Sequence, residues 1–425
     1  MQGKAESRRR PPGEVRGRRL VQPNATRIAS GVTECYHGRV KVRRTWTERI
    51  ESAWDRRSVI WLPGVRRVGK TCLCRTLADT EYFDCELPRV RRMMDDPQAF
   101  LDDLRGRRIV LDEVHRLANP SELLKIAADN YPDTRVLATG SSTLGASAKF
   151  ADTLAGRKSQ IWLTPMTLPD LSDFDRPDLT HRLLRGGLPP FFLANGSPES
   201  EFQEWMDAYW AKDIQELFRL ERRHSFQRFA ELLMAHSGGI FESTRFTAPC
   251  EVSRTTIANY LSVLESTFVA HVVRPFSSHR PTEIIAAPKV YSFDTGFVCY
   301  HRGWYELRRE DLGILWEHFV LNELHAGLQS RRVGYWRDKR GHEVDFVLSD
   351  RRSHPVAVEC KWSSSDFDPS NLLSFRRRHP DGPNIVVASD VTRPYSRDHG
   401  GVGVRFVGIA DLLRELAPPS DTDRT

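Results

Sequence analysis

The sequence predicts an α/β protein whose first folded unit is a parallel sheet flanked by helices, and three observations predict it. The stretch Gly64-Val65-Arg66-Arg67-Val68-Gly69-Lys70-Thr71 has the spacing of a phosphate-binding loop, and it lies between an apolar run, 58–62, and a helix-like stretch, 71–78. A second apolar run, 108–111, ends in two acids, Asp112 and Glu113. Strand-like and helix-like segments then alternate as far as 135–139, the pattern of parallel strands with a ligand at their carboxyl ends.

Each part of this arrangement has a chemical reading. Gly64 and Gly69 let backbone N–H groups close around phosphates, and the N-terminus of the following helix adds the positive end of its dipole. Lys70 reaches the β- and γ-phosphates, and the Thr71 hydroxyl ligates Mg²⁺. Asp112, at a strand tip, holds the hydration shell of the same ion, and Glu113 orients and polarises the attacking water. ATP and Mg²⁺ are the expected cofactors. A glycine turn before a helix, or acids at a strand end, would mean little alone; their pairing in one unit favours the nucleotide site.

The remaining elements follow in order. Trp46, Ile50 and Trp54 mark a lead-in helix, 82–87 a strand, 95–104 a surface helix, and 121–131 a helix capped by Ser121. The strand 135–139 runs into Gly140-Ser141-Ser142, where a polar side chain could sense the γ-phosphate or position the water.

Composition bounds the rest. At 425 residues the chain exceeds one ordinary domain, and its 40% hydrophobic content supports real cores without any run long enough to span a membrane. Seven cysteines without paired CxxC spacing fit reduced thiols and a cytoplasmic location. The net charge of +7 is uneven: residues 1–44 hold twelve Lys and Arg against three acids, so this tail carries +9 and the remainder −2. Bulk charge therefore gives no argument for nucleic-acid binding by the folded body. The Arg-, Gly- and Pro-rich tail reads as disordered, with no secretory signal; a solvated extension or an upstream mis-called start is favoured over a nucleic-acid arm.

The combination GVRRVGKT, IVLDEVHRL, VLATGSS and LAGR, followed by a strand and TPMTLPDL, resembles a large family of bacterial and archaeal AAA-type ATPases. In that family the ATPase is followed by a winged-helix segment and a domain resembling restriction endonucleases. The resemblance covers roughly residues 46–415. It implies an ATPase core with Lys70, Thr71, Asp112 and Glu113 in the roles above, and Ser141 or Ser142 at the sensor position. It also implies Arg157 as the best candidate for a charge-stabilising arginine, which in a homo-oligomer could serve a neighbouring subunit; the alternative, of equal weight, is an arginine paired with a carboxylate near the sheet. Arg185 is a weaker candidate for a lid residue.

Beyond the ATPase unit, Phe202, Trp205, Tyr209, Ile214 and Leu217 mark one apolar face of a helix over 201–220, expected to cover the nucleotide site. Residues 226–295 read as helix, turn, helix and hairpin, a winged helix-turn-helix pattern in which Arg254, Thr255 and Asn259 would face a DNA groove. No basic cluster surrounds it, so a purely packing role stands beside DNA contact.

The last 120 or so residues hold a second constellation. An amphipathic helix over 312–328 buries Leu315, Phe319, Leu324 and Leu328 and carries Glu317 on its flank. Strands follow at 343–348 and 356–361, and Glu359 and Lys361, two apart, share a strand face. In a hairpin, Asp345 and Glu359 could meet and hold a hard divalent ion, with Lys361 activating water or stabilising charge on a phosphate. The order of elements is similar to the restriction-endonuclease-like fold, with Asp345 and Glu359-Cys360-Lys361 as its signature and Glu317 as the accompanying helical acid.

The expected organisation is a basic disordered tail (1–45), an ATPase domain (46–175), a helical lid (176–224), a winged helix (225–295), a restriction-endonuclease-like domain (296–418) and a short tail (419–425). The expected function is Mg²⁺-dependent ATP hydrolysis coupled to DNA binding, with cleavage open. A nucleotide-switched regulatory or signalling ATPase that binds DNA or protein without cutting is the alternative.

Overall fold

The computed structural model describes residues 41–140, 148–194, 196, 199–218, 222–276, 287–349 and 354–416. The basic tail up to residue 40, Ser141 and Ser142, and the end of the chain beyond 416 lie outside the described residues. Residues 41–45, assigned to the tail on composition, belong to the folded unit. Arg43 is buried, donates through Nη2 to Asp170 Oδ2 at 2.6 Å and through Nη1 to the Val68 carbonyl at 3.2 Å. It thereby ties the chain entry to the phosphate loop.

The first sheet has five parallel strands: β1 (Val59–Leu62), β2 (Thr80–Asp84), β3 (Arg108–Asp112), β4 (Arg135–Thr139) and β5 (Lys158–Gln160), in the order β2-β3-β4-β1-β5. All four residues of β1, and all but the first of β3 and β4, are buried, as expected of parallel strands covered on both faces. The register sets Asp84 beside Asp112 at the carboxyl edge.

The second sheet has nine strands: β6 (Gly239–Ile240), β7 (Ala270–Pro275), β8 (Lys289–Ser292), β9 (Gly334–Arg337), β10 (Glu343–Ser349), β11 (Pro355–Lys361), β12 (Asn384–Ala388), β13 (Tyr395–His399) and β14 (Val402–Val407). Their order is β13-β14-β12-β11-β10-β9-β7-β8-β6. The parallel pairing of β7 with β9, through Arg274 and Gly334, joins strands from 225–295 and 296–418 into one sheet.

The helix expected to be capped by Ser121 begins at Pro120, with Asn119 at its N-cap, and two further helices depart more from expectation. The segment read as one α-helix over 201–220 is α-helical over Glu199–Tyr209, π-helical over Trp210–Ile214, and α-helical again over Gln215–Phe218. The wider turn keeps Tyr209 and Ile214, five residues apart, both buried, which a regular 3.6-residue period does not favour.

The helix Arg309–Leu328, expected to be amphipathic, is instead buried almost all round from Leu315 to Ala326, while Leu328 is exposed. The reason is its position between the nine-stranded sheet and the segment 165–168. Trp316 Nε1 donates to the Val387 carbonyl of β12 at 3.0 Å. On the other side, Asn322 Nδ2 donates to the Pro165 carbonyl at 3.1 Å, and Glu323 Oε1 accepts from the Leu168 N–H at 2.7 Å. A helix enclosed on all sides needs no polar face.

Among the described residues six cysteines are buried and none forms a disulfide, and no helix is long and apolar enough to cross a membrane.

Candidate nucleotide site and a second acidic cluster

The loop after β1 can close only because of its glycines. A Cβ on Gly64 would come within 2.6 Å of the Leu163 carbonyl oxygen, and Gly69 has φ +100°, where a side chain is strained. Arg67 adopts a left-handed backbone at φ +62°, which turns the loop toward the helix Lys70–Arg75. The Lys70 ammonium is folded over the loop, donating to the carbonyls of Gly64 at 2.8 Å and Val65 at 3.2 Å. It is buried and already desolvated, so phosphate oxygens would meet a cation whose position the fold has fixed.

Opposite the loop, Asp112 at the end of β3 is 3% exposed and organises three hydroxyls. Its Oδ2 accepts from Thr71 Oγ1 at 2.8 Å and from Tyr82 OH at 2.6 Å, and its Oδ1 accepts from Thr139 Oγ1. The Thr71 hydroxyl and Asp112 carboxylate thus form an adjacent pair of hard oxygen donors, which fits Mg²⁺.

Glu113 follows in a left-handed conformation, φ +57°, fixed by its N–H donating to Thr139 Oγ1 at 3.1 Å. That turn swings the carboxylate away from β3 and into the cleft, with Oε2 at 3.1 Å from His115 Nδ1. Burial pushes the Glu113 carboxyl up, but the His115 hydrogen bond and the charges of Lys70 and Arg66 outweigh it and hold the group down to about 2. It is therefore ionised at neutral pH and suited to accept a hydrogen bond from water and orient it.

Lys70, Thr71 and Glu113 line one cleft of ≈380 Å³ together with Arg66, His115 and Asp213. Gly64 and Gly69 line the same cleft, and Asp112 adjoins it through Thr71. Ser141 lies outside the described residues. Arg157 does not line this cleft; its Nε donates to Asp129 Oδ1 at 2.7 Å, the carboxylate pairing weighed as its alternative. Arg185 is likewise elsewhere, donating to the Gly196 carbonyl. Sequence reasoning missed His115, Tyr82, Thr139 and Asp213. His115 was signalled only by its place two residues after Glu113, and Asp213 by being an acid among the aromatic positions of its helix.

The second cluster lies where β10 and β11 pair antiparallel, Phe346 opposite Val358. Asp345 Oδ2 accepts from the Cys360 N–H at 2.8 Å, while Lys361 Nζ lies 2.9 Å from Glu359 Oε2 and 4.0 Å from Asp345 Oδ2. Glu317 accepts from Lys289 Nζ at 3.1 Å and from Tyr291 OH, and Lys289 also pairs with Glu343. Asp345, Glu359 and Lys361 therefore meet. Glu359, however, points inward with Cys360 and Val358 as buried neighbours; it is 1% exposed, and its Oε1 has no hydrogen-bond partner. Burial, and next the charge of Asp345, push Glu359 up to about 8 and Glu317 up to about 7. For Lys361, burial works against the charged form, but Asp345 and Glu359 prevail and raise it. The orphaned Glu359 oxygen fits a cation. Among the described residues, though, no three His, Cys, Asp or Glu side chains are already arranged to hold a metal ion.

Three family matches tile the chain. Residues 56–171 match an AAA domain, and residues 176–308 and 312–409 match two domains of unknown function, DUF8612 and DUF4143. The uncharacterized proteins Rv2008c of Mycobacterium tuberculosis and Mb2031c of Mycobacterium bovis are each 29% identical over 346 residues, covering 79% of this chain and 76% of theirs. Among solved structures, the Walker-type ATPase PABY2304 of Pyrococcus abyssi aligns with TM-score 0.39 and 14% identity over 61% of this chain and 95% of that one. AMPPCP-bound DnaA from Aquifex aeolicus aligns with TM-score 0.27 and 13% identity over 52% of this chain and 87% of that one. Scores this low carry nothing about ligand or partner. The parallel sheet, its phosphate loop and the family match at 56–171 together make the N-terminal unit similar to an AAA-type P-loop ATPase.

Proposed function

We propose that the protein binds ATP with Mg²⁺ and hydrolyses it, and that turnover is coupled to the handling of DNA by the C-terminal half. The observation that carries the first part is the Thr71–Asp112 contact of 2.8 Å in the same cleft as Lys70 and Glu113. Mg²⁺, when bound, supplies charge neutralisation on the β- and γ-phosphates, and Thr71 and Asp112 are the residues that would hold it. Lys70 neutralises the same oxygens from the loop side. Glu113 orients the attacking water by accepting its hydrogen bond, and His115 keeps the Glu113 carboxylate aimed into the cleft.

The coupling to DNA rests on the segments read as a winged helix (225–295) and an endonuclease-like domain (296–418). The helices Thr244–Cys250 and Arg254–Ser266 support the first, with Arg254, Thr255 and Asn259 exposed on the second of them. The meeting of Asp345, Glu359 and Lys361 supports the second. A nucleotide-switched ATPase without cleavage is favoured by a different observation: the Lys361 ammonium already pairs with both acids, so part of the cluster's negative charge is balanced from within the chain.

Steady-state ATPase assays with and without single-stranded, double-stranded and branched DNA separate the readings. Stimulation by DNA supports coupling. Tight nucleotide retention with negligible turnover supports the switch, and failure to bind ATP removes both.

A further inference from the structure

Arg66, the third residue of the phosphate loop, is held by the helical segment 199–218 at two points. Its carbonyl accepts from Trp205 Nε1 at 3.0 Å, and its Nε donates to Asp213 Oδ2 at 3.0 Å. Asp213 is 6% exposed and sits in the π-turn Trp210–Ile214. One residue of helix corresponds to about 100° of rotation, so the extra residue in this turn decides that Asp213 faces the loop. Both residues line the nucleotide cleft beside Lys70 and Glu113. Arg66 is also close enough to Glu113 for its charge to help keep that carboxylate ionised.

We propose that Arg66 is a catalytic residue that contacts the γ-phosphate oxygens of ATP from within the same chain, and that Asp213 is its positioning residue. This assignment rests on the nucleotide-site reading. With Nε committed to Asp213, the guanidinium plane is fixed, and among the described residues Nη1 and Nη2 make no hydrogen bond. Those two nitrogens form the flat, paired donor edge that suits phosphate oxygens and carries charge to the side of the site where Glu113 sits. The other arginines that line the cleft are otherwise engaged: Arg67 pairs with Glu204 at 3.6 Å, and Arg75 lies over the Tyr82 ring, 5.1 Å from its centre. Arrival or loss of the γ-phosphate changes the load on the Arg66–Asp213 pair, so the π-turn is the first element outside the loop to register hydrolysis.

The test uses the full-length protein and compares ATP and ADP affinity, by competition with a fluorescent ADP analogue, with steady-state kcat and KM. Arg66→Ala is expected to lower kcat by about 10²–10³-fold. It should weaken ATP binding by roughly tenfold or more while leaving ADP binding within about threefold, since only ATP presents the γ-phosphate. Arg66→Lys should recover only part of kcat, because a point charge cannot replace the fixed fork. Asp213→Asn should lower kcat more than it changes KM, and Asp213→Glu should restore part of the loss. The double variant Arg66→Ala/Asp213→Asn should be no slower than Arg66→Ala alone, because Asp213 acts through Arg66. An Arg66→Ala protein with wild-type turnover, or with ADP affinity lost as much as ATP affinity, overturns the catalytic assignment. Additive losses in the double variant overturn the positioning role. Should Arg66→Ala not fold, Arg66→Lys carries the test, and a wild-type rate there is equally fatal. A wild-type protein that binds no ATP refutes the nucleotide reading itself, an outcome distinct from all of these.

Discussion

At the scale of single residues, the nucleotide cleft separates groups that bind from groups that act. Lys70 is buried with its ammonium fixed over the loop, so Lys70→Ala is expected to abolish measurable ATP binding by equilibrium titration. Glu113→Gln keeps the side-chain shape and should bind ATP while turnover falls by about 10²-fold or more, measured as phosphate release. Normal turnover by Glu113→Gln would take the water-orienting role away from it. The second cluster makes a complementary prediction. If Asp345, Glu359 and Lys361 cut DNA, Mg²⁺- or Mn²⁺-dependent cleavage should vanish in Asp345→Ala and Lys361→Ala while ATP turnover persists. No metal-dependent cleavage by the wild type on any DNA form, with or without ATP, would leave a cluster that only binds.

At the scale of elements, the sequence was most legible where a period and a special residue coincided. The strand-loop-helix around Gly64–Thr71 and the acid-tipped strand β3 were readable because parallel strands buried on both faces are uniformly apolar and glycine marks the tight turn. The π-turn was not read, although the five-residue step from Tyr209 to Ile214 departs from the three- and four-residue steps before it. Nor was the full burial of the helix Arg309–Leu328, whose polar residues His318, Asn322, Glu323 and His325 imply a wet face until their tertiary partners are known. Tyr82 and Thr139 were missed for a similar reason: hydroxyls at strand positions acquire a role only when neighbouring strands bring them to Asp112.

Glu323 in that helix supplies a pH test. Burial pushes its carboxyl from 4.5 up to about 8 against the favourable Leu168 hydrogen bond. Between these values the folded state keeps a proton that the unfolded state has lost, so this group lowers stability as pH rises from about 4.5 to about 8. Buried His318, pushed down to about 4, and His325, pushed down to about 3, act in the opposite sense below the ordinary histidine value, which is why the comparison must be with a variant. Glu323→Gln should flatten the fall in Tm between pH 5 and pH 8 relative to wild type, and an unchanged slope would show that Glu323 does not titrate in this window.

For the whole molecule, Arg157 offers a test of assembly. Away from its own cleft, it would act only across a subunit interface. A mixture of Arg157→Ala and Lys70→Ala proteins should then regain steady-state ATPase activity over a range of mixing ratios, each supplying what the other lacks. Strictly additive activity removes the case for an arginine acting in trans.

The central helix Arg309–Leu328 has a consequence for how this chain can be taken apart. It touches β12 through Trp316 and the 162–170 segment through Asn322, Glu323 and Gln329, whose Nε2 donates to the Trp162 carbonyl at 3.2 Å. Cutting the gene at either family boundary near residue 310 would leave one fragment with an uncovered apolar wall and the other with a helix lacking half its neighbours. The nucleotide unit is thus not a module that could be exchanged freely between proteins; it is built to be completed by a piece of chain that arrives about 150 residues later.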